Sequence, residues 1–173
     1  MLLHLIGYRG SGKSAVAAAL SELLGWPWID ADEVLERSAG KTIKQIFADD
    51  GETAFRDLES AIAADLTEKN RHIIAWGGGV VLRETNQKLL QRRGKIIWLT
   101  ASPETLRARI HGDQTTAERR PNLTGQGGLA EIRTLLEQRT PLYAACADLT
   151  IDTEQLSPAQ IASRILADLH LQE

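Results

Sequence analysis

The chain has 173 residues, 43% of them hydrophobic, which is enough apolar material for one core on the scale of a domain of roughly 150 residues and excludes disorder as its main state. Twenty Lys and Arg against 23 Asp and Glu leave a formal charge of −3, so no overall basic field is present to gather nucleic acid. A single cysteine, Cys146, excludes an internal disulfide and a thiolate metal cluster. No apolar run approaches the ~20 residues that span a bilayer, and the N-terminus reads as neither a signal peptide nor a membrane anchor, so a reducing cytoplasm is expected.

In chain order, Leu2 to Ile6 is a short apolar strand ending at Gly7, and after a glycine-rich turn a helix runs from Lys13 to Leu24, where Gly25 stops it. Trp28 to Asp30 is a second strand. Helices follow over about 32–39 and 42–49, then a longer one from Glu52 to Lys69 behind an Asp50-Gly51 turn. Ile73 to Trp76 is strand three and Lys95 to Thr100 strand four. Ser102-Pro103-Glu104 opens the next helix with an N-cap, a proline at the first helical position and an acid in the first turn, and Ser157-Pro158 repeats the device. Between them lie a polar stretch from about Gly112 to Gly127, a helix from about Gly128 to Arg139, and a last strand near Asp148 to Asp152. Five strands alternating with helices must run parallel with right-handed crossovers, which predicts an α/β three-layer sandwich with ligands at the carboxyl ends of the strands. No repeat, linker or low-complexity tract divides 1–173, so one domain is expected, and no exposed heptad or apolar stripe argues against a monomer.

Gly7-Tyr-Arg-Gly-Ser-Gly-Lys13-Ser14 matches G-x-x-x-x-G-K-[ST] between a strand and a helix, the context that makes this pattern a P-loop. Its backbone N–H groups and the positive end of the following helix suit polyphosphate; Lys13 would reach the β and γ phosphates and the Ser14 hydroxyl would hold Mg²⁺. A P-loop alone does not separate kinases from switches or motors, so other residues must decide.

Four groups help. Asp30-Ala-Asp32 ends strand two, where alternation predicts both carboxylates on one side; one can support magnesium, and Asp32 either takes a proton from an acceptor hydroxyl or merely caps the next helix. On the helix from Glu52, Glu59 and Arg56 flank an apolar stripe of Phe55, Leu58, Ile62 and Leu66; the pair is either surface decoration or a grip in which Glu59 fixes Arg56 for an anionic substrate. Gly77-Gly78-Gly79 after strand three is either a flexible turn or a place where a ligand meets bare backbone. Arg107, Arg109, Arg119, Arg120, Arg133 and Arg139 surround the polar stretch, which reads as a mobile lid over about 112–127 that closes to exclude water. Arginines outnumber lysines 14 to 6, which suits a small anionic ligand held by planar forks.

Together Gly7 to Ser14, Asp30-Ala-Asp32, Phe55-Arg56 with Glu59, Gly77 to Gly79, Arg120-Pro121 and Arg139-Thr-Pro141-Leu-Tyr143 resemble the shikimate kinase family, which is of the nucleoside monophosphate kinase type, over nearly the whole chain. The resemblance implies transfer of the γ-phosphate of ATP to the 3-hydroxyl of shikimate, on the route to chorismate and the aromatic amino acids. It implies a sheet order of 2-3-1-4-5 and a substrate-binding helical region over about 32–60. It implies that Gly10, Ser11, Gly12, Lys13, Ser14 and Ala15 cradle ATP, with Ser14 and, through water, Asp30 at Mg²⁺. Asp32 would act as base on the shikimate hydroxyl, Arg56 and Arg139 would clamp its carboxylate, and Gly77, Gly78 and Gly79 would close the pocket. Arg120 would touch the transferring phosphoryl group, and Arg109 and the loop before Pro158 would lie on opposite faces of adenine. Ala15, Trp76 and Asn122 depart from the family's commonest pattern, and Trp76 is expected to narrow the acceptor pocket. The four histidines have no metal spacing, and Cys146 reads as core.

Overall fold

A computed structural model describes residues 1–112 and 128–171 of the chain. Five parallel strands form one sheet in the order β2-β3-β1-β4-β5, as the resemblance implies: β1 Leu2–Ile6, β2 Trp28–Asp30, β3 His72–Ala75, β4 Gly94–Thr100 and β5 Leu149–Asp152. The helices are α1 Lys13–Leu24, α2 Ala31–Ala39, α3 Ile43–Asp49, α4 Gly51–Leu66, α5 Glu84–Arg93, α6 Pro103–Gly112, α7 Gly128–Cys146 and α8 Pro158–Asp168, with a 3₁₀ turn at Val80–Leu82.

The central strand β1 is buried along its whole length, and its two-residue period builds two cores. Leu3 and Leu5 face Val16 and Leu20 of α1 and Ile161 and Ile165 of α8. Leu2 and Ile6 face the opposite side with Ile74, Val81, Leu90, Ile96, Tyr143 and Cys146, under α4, α5 and α7. A smaller cluster of Leu35, Ile43, Ile46 and Phe55 ties α2 and α3 to α4 beyond β2. Helix starts follow the signals in the chain: Thr42 forms a capping box with Gln45 on α3, and Ser157 forms one with Gln160 on α8, whose first residue is Pro158.

Three elements differ from expectation. Helix α4 ends at Leu66, not Lys69, because Thr67 caps it and the chain turns through Arg71, at φ 53, into β3. Helix α5 shows no broad apolar stripe in the sequence; only Leu90 and Asn86 bury fully, and the connection between β3 and β4 supplies the rest of the reason for it. Helix α7 does not stop at Arg139 but runs through Pro141 to Cys146, because Tyr143 and Cys146 bury on the same core as Ile96 and outweigh the one backbone hydrogen bond that the proline forfeits.

Candidate active site

The loop between β1 and α1 turns on three glycines at positive φ, Gly7 at 139°, Gly10 at 81° and Gly12 at 94°. Gly7 is also closely packed: a Cβ there would stand 2.4 Å from the Leu99 carbonyl oxygen. Ser11 and Lys13 are buried, and Ala15 faces outward on the first turn of α1. The Lys13 ammonium donates to the carbonyls of Gly7 and Tyr8, both at 2.8 Å, so it lies folded over the loop that carries it. Ser14 Oγ donates to Asp30 Oδ2 at 3.1 Å, and the other oxygen of that carboxylate caps α2 by accepting from the Asp32 amide at 3.0 Å.

That geometry corrects the strand argument for Asp32. β2 stops at Asp30, and Asp32 stands in the first turn of α2, so the turn of a helix and not strand alternation directs its carboxylate. Nor does Asp32 cap the helix, since Asp30 does. Asp32 is buried, and a Cβ on Gly77 would lie 2.7 Å from its Oδ1; glycine there leaves room for the acid.

Beside the P-loop is a cavity lined by Asp32, Arg56, Glu59, Gly77, Gly78, Gly79 and Arg139, with Tyr8 and Arg9 of the P-loop on one side and Ile43, Phe47 and Phe55 on another. Arg56 Nη1 donates to Glu59 Oε2 at 2.7 Å and its Nη2 is 3.5 Å from Glu52, so the pair is fully buried at its Glu59 end and is not surface decoration. A Cβ on Gly79 would sit 2.2 Å from Arg56 Nη1, so any larger residue there would displace the Arg56 guanidinium. Arg139 lies over the Tyr8 ring at 5.9 Å. The Nε atoms of Arg9, Arg56 and Arg139 are all buried and have no hydrogen-bond partner among the described residues, and all three arginines line this one cavity. Burial pushes the Glu59 carboxyl above the usual range, and the Arg56 charge opposes that rise. Phe47 and Phe55, with ring centroids 4.8 Å apart, supply an apolar wall.

On the far side of the P-loop, the Arg109 guanidinium forks onto Thr153, Nη1 donating to its Oγ1 at 2.9 Å and Nη2 to its carbonyl at 3.0 Å, while Nη1 also reaches the Gly10 carbonyl at 3.4 Å. Pro158 is exposed at the start of α8, beyond the same end of β5. Arg107 is exposed, and Arg133 pairs with Glu104 on the surface at 2.6 Å; neither lines the cavity. Arg119, Arg120, Pro121, Asn122 and the lid span 113–127 lie outside the described residues.

Trp76 does not narrow the cavity. It continues the alternation of Ile74 into the core, 2% exposed, and its Nε1 donates to His4 Nδ1 at 3.1 Å. Tyr8 and Arg9 were legible only as the unconstrained positions of the P-loop pattern, which fixes glycines, lysine and serine and leaves the side chains between them open. Phe47 and Ile43 gave no signal distinct from ordinary helix burial.

A P-loop, a buried acid in the cavity beside it, and an arginine-lined cavity at the carboxyl edge of a parallel sheet define a small-molecule kinase of the P-loop class. The comparisons agree. The model of the shikimate kinase family matches residues 9–170. Shikimate kinase of Rhodopirellula baltica is 44% identical over 164 residues, 95% of this chain and 88% of that one, and that of Limosilactobacillus fermentum is 43% identical over 174 residues, 100% and 98%. The structure of shikimate kinase from Acinetobacter baumannii in complex with shikimate superposes with a TM-score of 0.91 at 34% identity, covering 98% of this chain and 92% of that one. The chain belongs to the shikimate kinase family, and its activity is the ATP-dependent phosphorylation of shikimate in aromatic biosynthesis.

Proposed function

We propose that the cavity beside the P-loop is the acceptor subsite, where the shikimate carboxylate lies between Arg56 and Arg139 and the 3-hydroxyl faces Asp32. The observation that carries this reading is the convergence of three arginines, Arg9, Arg56 and Arg139, on one cavity next to the phosphate cradle. The guanidiniums of Arg9, Arg56 and Arg139 line this cavity, and their planar forks suit a carboxylate. The Phe47–Phe55 wall takes the carbon face of the ring.

In the reaction, Lys13 leaves the Gly7 and Tyr8 carbonyls to meet the β and γ phosphates, and Gly10, Ser11, Gly12, Ser14 and Ala15 hold the rest of the polyphosphate. Asp32 takes the proton from the 3-hydroxyl as its oxygen bonds to phosphorus, while the bond from the γ-phosphorus to the bridging oxygen breaks and ADP leaves with that electron pair. Arg56 and Arg139 fix the ring so that one hydroxyl is in line, and the Gly77 to Gly79 backbone closes the pocket behind it. Arg109, forked on Thr153, offers its flat face to adenine, with the residues before Pro158 on the other face. Arg120, on the lid over about 112–127, touches the transferring phosphoryl group by the family's motif.

Magnesium fits this site. Ser14 Oγ and Asp30 Oδ2 are hard oxygen donors 3.1 Å apart at the head of α1, and the described residues contain no group of three or more His, Cys, Asp or Glu that would cage a metal without the nucleotide. Ser14, with Asp30 through water, would hold the ion against the phosphates, where it neutralises their charge. A single domain over 1–173, acting as a monomer in the cytoplasm on small molecules without nucleic-acid or membrane partners, completes the reading; among the described residues no helix is long and apolar enough to cross a membrane.

A coupled ADP-release assay tests the assignment of roles. Turnover with shikimate and MgATP is expected, with kcat reduced ~10²-fold or more in Asp32→Asn while ATP binding persists. Unchanged kcat in that variant removes Asp32 from the chemistry.

A further inference from the structure

The glycine turn behind the acceptor subsite is oriented by contacts on its far side. The Gly77 carbonyl accepts from the Val80 amide at 3.2 Å and the Gly79 carbonyl from the Leu82 amide at 3.0 Å, both within the turn and the 3₁₀ segment that follows. The Gly78 carbonyl is held from outside, by the hydroxyl of Tyr143, which donates to it. Tyr143 is fully buried, its ring is stacked on Trp98 at 5.6 Å, and it does not line the cavity. It stands four residues after Arg139 on α7, so the two project from one face of the helix on successive turns. A Cβ on Gly78 would be 3.4 Å from Arg139 Nη1, so the glycine lies beside both side chains.

A trans peptide sends its carbonyl and its N–H in opposite directions, and no cis bond is present among the described residues. Fixing the Gly78 carbonyl on Tyr143 therefore turns the Gly79 N–H away from α7. We propose that Tyr143 is a positioning residue for the acceptor: through one hydroxyl it aims the Gly79 N–H at shikimate and keeps the Arg139 turn of α7 in register with the glycine turn. The proposal rests on the acceptor subsite assigned above.

Tyr143→Phe removes the hydroxyl and leaves the stacked ring, so the core persists. In steady-state assays the KM for shikimate should rise about threefold to tenfold, the range one hydrogen bond supplies, while kcat and the KM for ATP stay within about twofold. Thr67→Val is the control for lost core bonding: its hydroxyl donates to the Ala63 carbonyl at 2.8 Å at the end of α4, away from the cavity, and its shikimate KM should not move. Arg139→Ala, run beside them, separates the two levels of the argument. If Arg139→Ala raises the shikimate KM and Tyr143→Phe does not, or if Tyr143→Phe raises both KM values alike, the positioning role is overturned. If Arg139→Ala also leaves the shikimate KM unchanged, the subsite itself is misplaced and the proposal falls with it.

Discussion

Arg56 and Glu59 meet at 2.7 Å with both side chains under one-tenth exposed, one turn apart on α4 and against the glycine turn. A buried pair of this kind is weak evidence for stability, because desolvating both charges offsets most of their attraction. Its effect is positional, since Glu59 holds Nη1 while Glu52 stands 3.5 Å from Nη2, and together they fix the guanidinium at the edge of the cavity.

Glu59→Gln should therefore raise the KM for shikimate by about tenfold or more and change kcat less, as measured by initial rates at saturating ATP. The wild-type enzyme should also lose shikimate affinity on acidification at a pH above the ordinary glutamate range, since burial raises the Glu59 pKa. The stability sign is the reverse of that for an ordinary paired carboxylate: with the folded value raised, the contribution of Glu59 is fullest below its unfolded pKa and is lost as pH climbs through the folded one. A titration of shikimate binding in which wild type and Glu59→Gln behave alike between acid and neutral pH contradicts this.

Asp30 serves two elements with one carboxylate, accepting from Ser14 with one oxygen and capping α2 with the other. Asp30→Ala should lower stability by ~1 kcal/mol through the lost cap and weaken the response to MgATP as well. Asp30→Ser restores a cap, so the thermal midpoint should recover while the magnesium dependence does not. Denaturation curves and magnesium titrations of the two variants separate the roles, and a serine variant that regains both would assign Asp30 to capping alone.

His4 gives the fold an acid limit. Its Nδ1 accepts from Trp76, and burial pulls its pKa from 6.5 down to about 4, against a smaller opposing pull from Asp148. Because the folded value is depressed, the unfolded chain binds the extra proton: the full contribution is present above about pH 6.5 and is lost as pH falls toward about 4. Thermal denaturation at pH 7.5 and pH 5 should show a larger drop for wild type than for His4→Gln, whose amide oxygen can still accept from Trp76. Equal drops contradict the account.

The sheet and the P-loop were legible because each rests on a local signal: alternating apolar runs, fixed glycines and two Ser-Pro helix starts. The site was less so, for physical reasons that differ by residue. Asp32 lies two residues past a strand that is three residues long, so a strand period carried beyond its end gave its carboxylate the wrong local geometry. The same period, applied to Ile74 and Trp76, puts the indole in the core, where it is found. The helix expected to end near Arg139 runs on to Cys146 because the sequence does not display the burial of Tyr143 and Cys146 that holds its last turns. Arg9 is invisible to pattern, since only the fold brings the P-loop against Gly78, whose Cβ position would be 3.6 Å from the Arg9 amide nitrogen.

The central claim, that guanidiniums beside the P-loop hold the acid of the acceptor, is tested most directly by comparing shikimate with its methyl ester as substrates for the wild type and for Arg139→Ala. Two charge-assisted contacts predict that the ester lowers kcat/KM by ~10²-fold or more in the wild type, and that this penalty shrinks to roughly tenfold once Arg139 is gone. Equal turnover of acid and ester by the wild-type enzyme would contradict the carboxylate clamp.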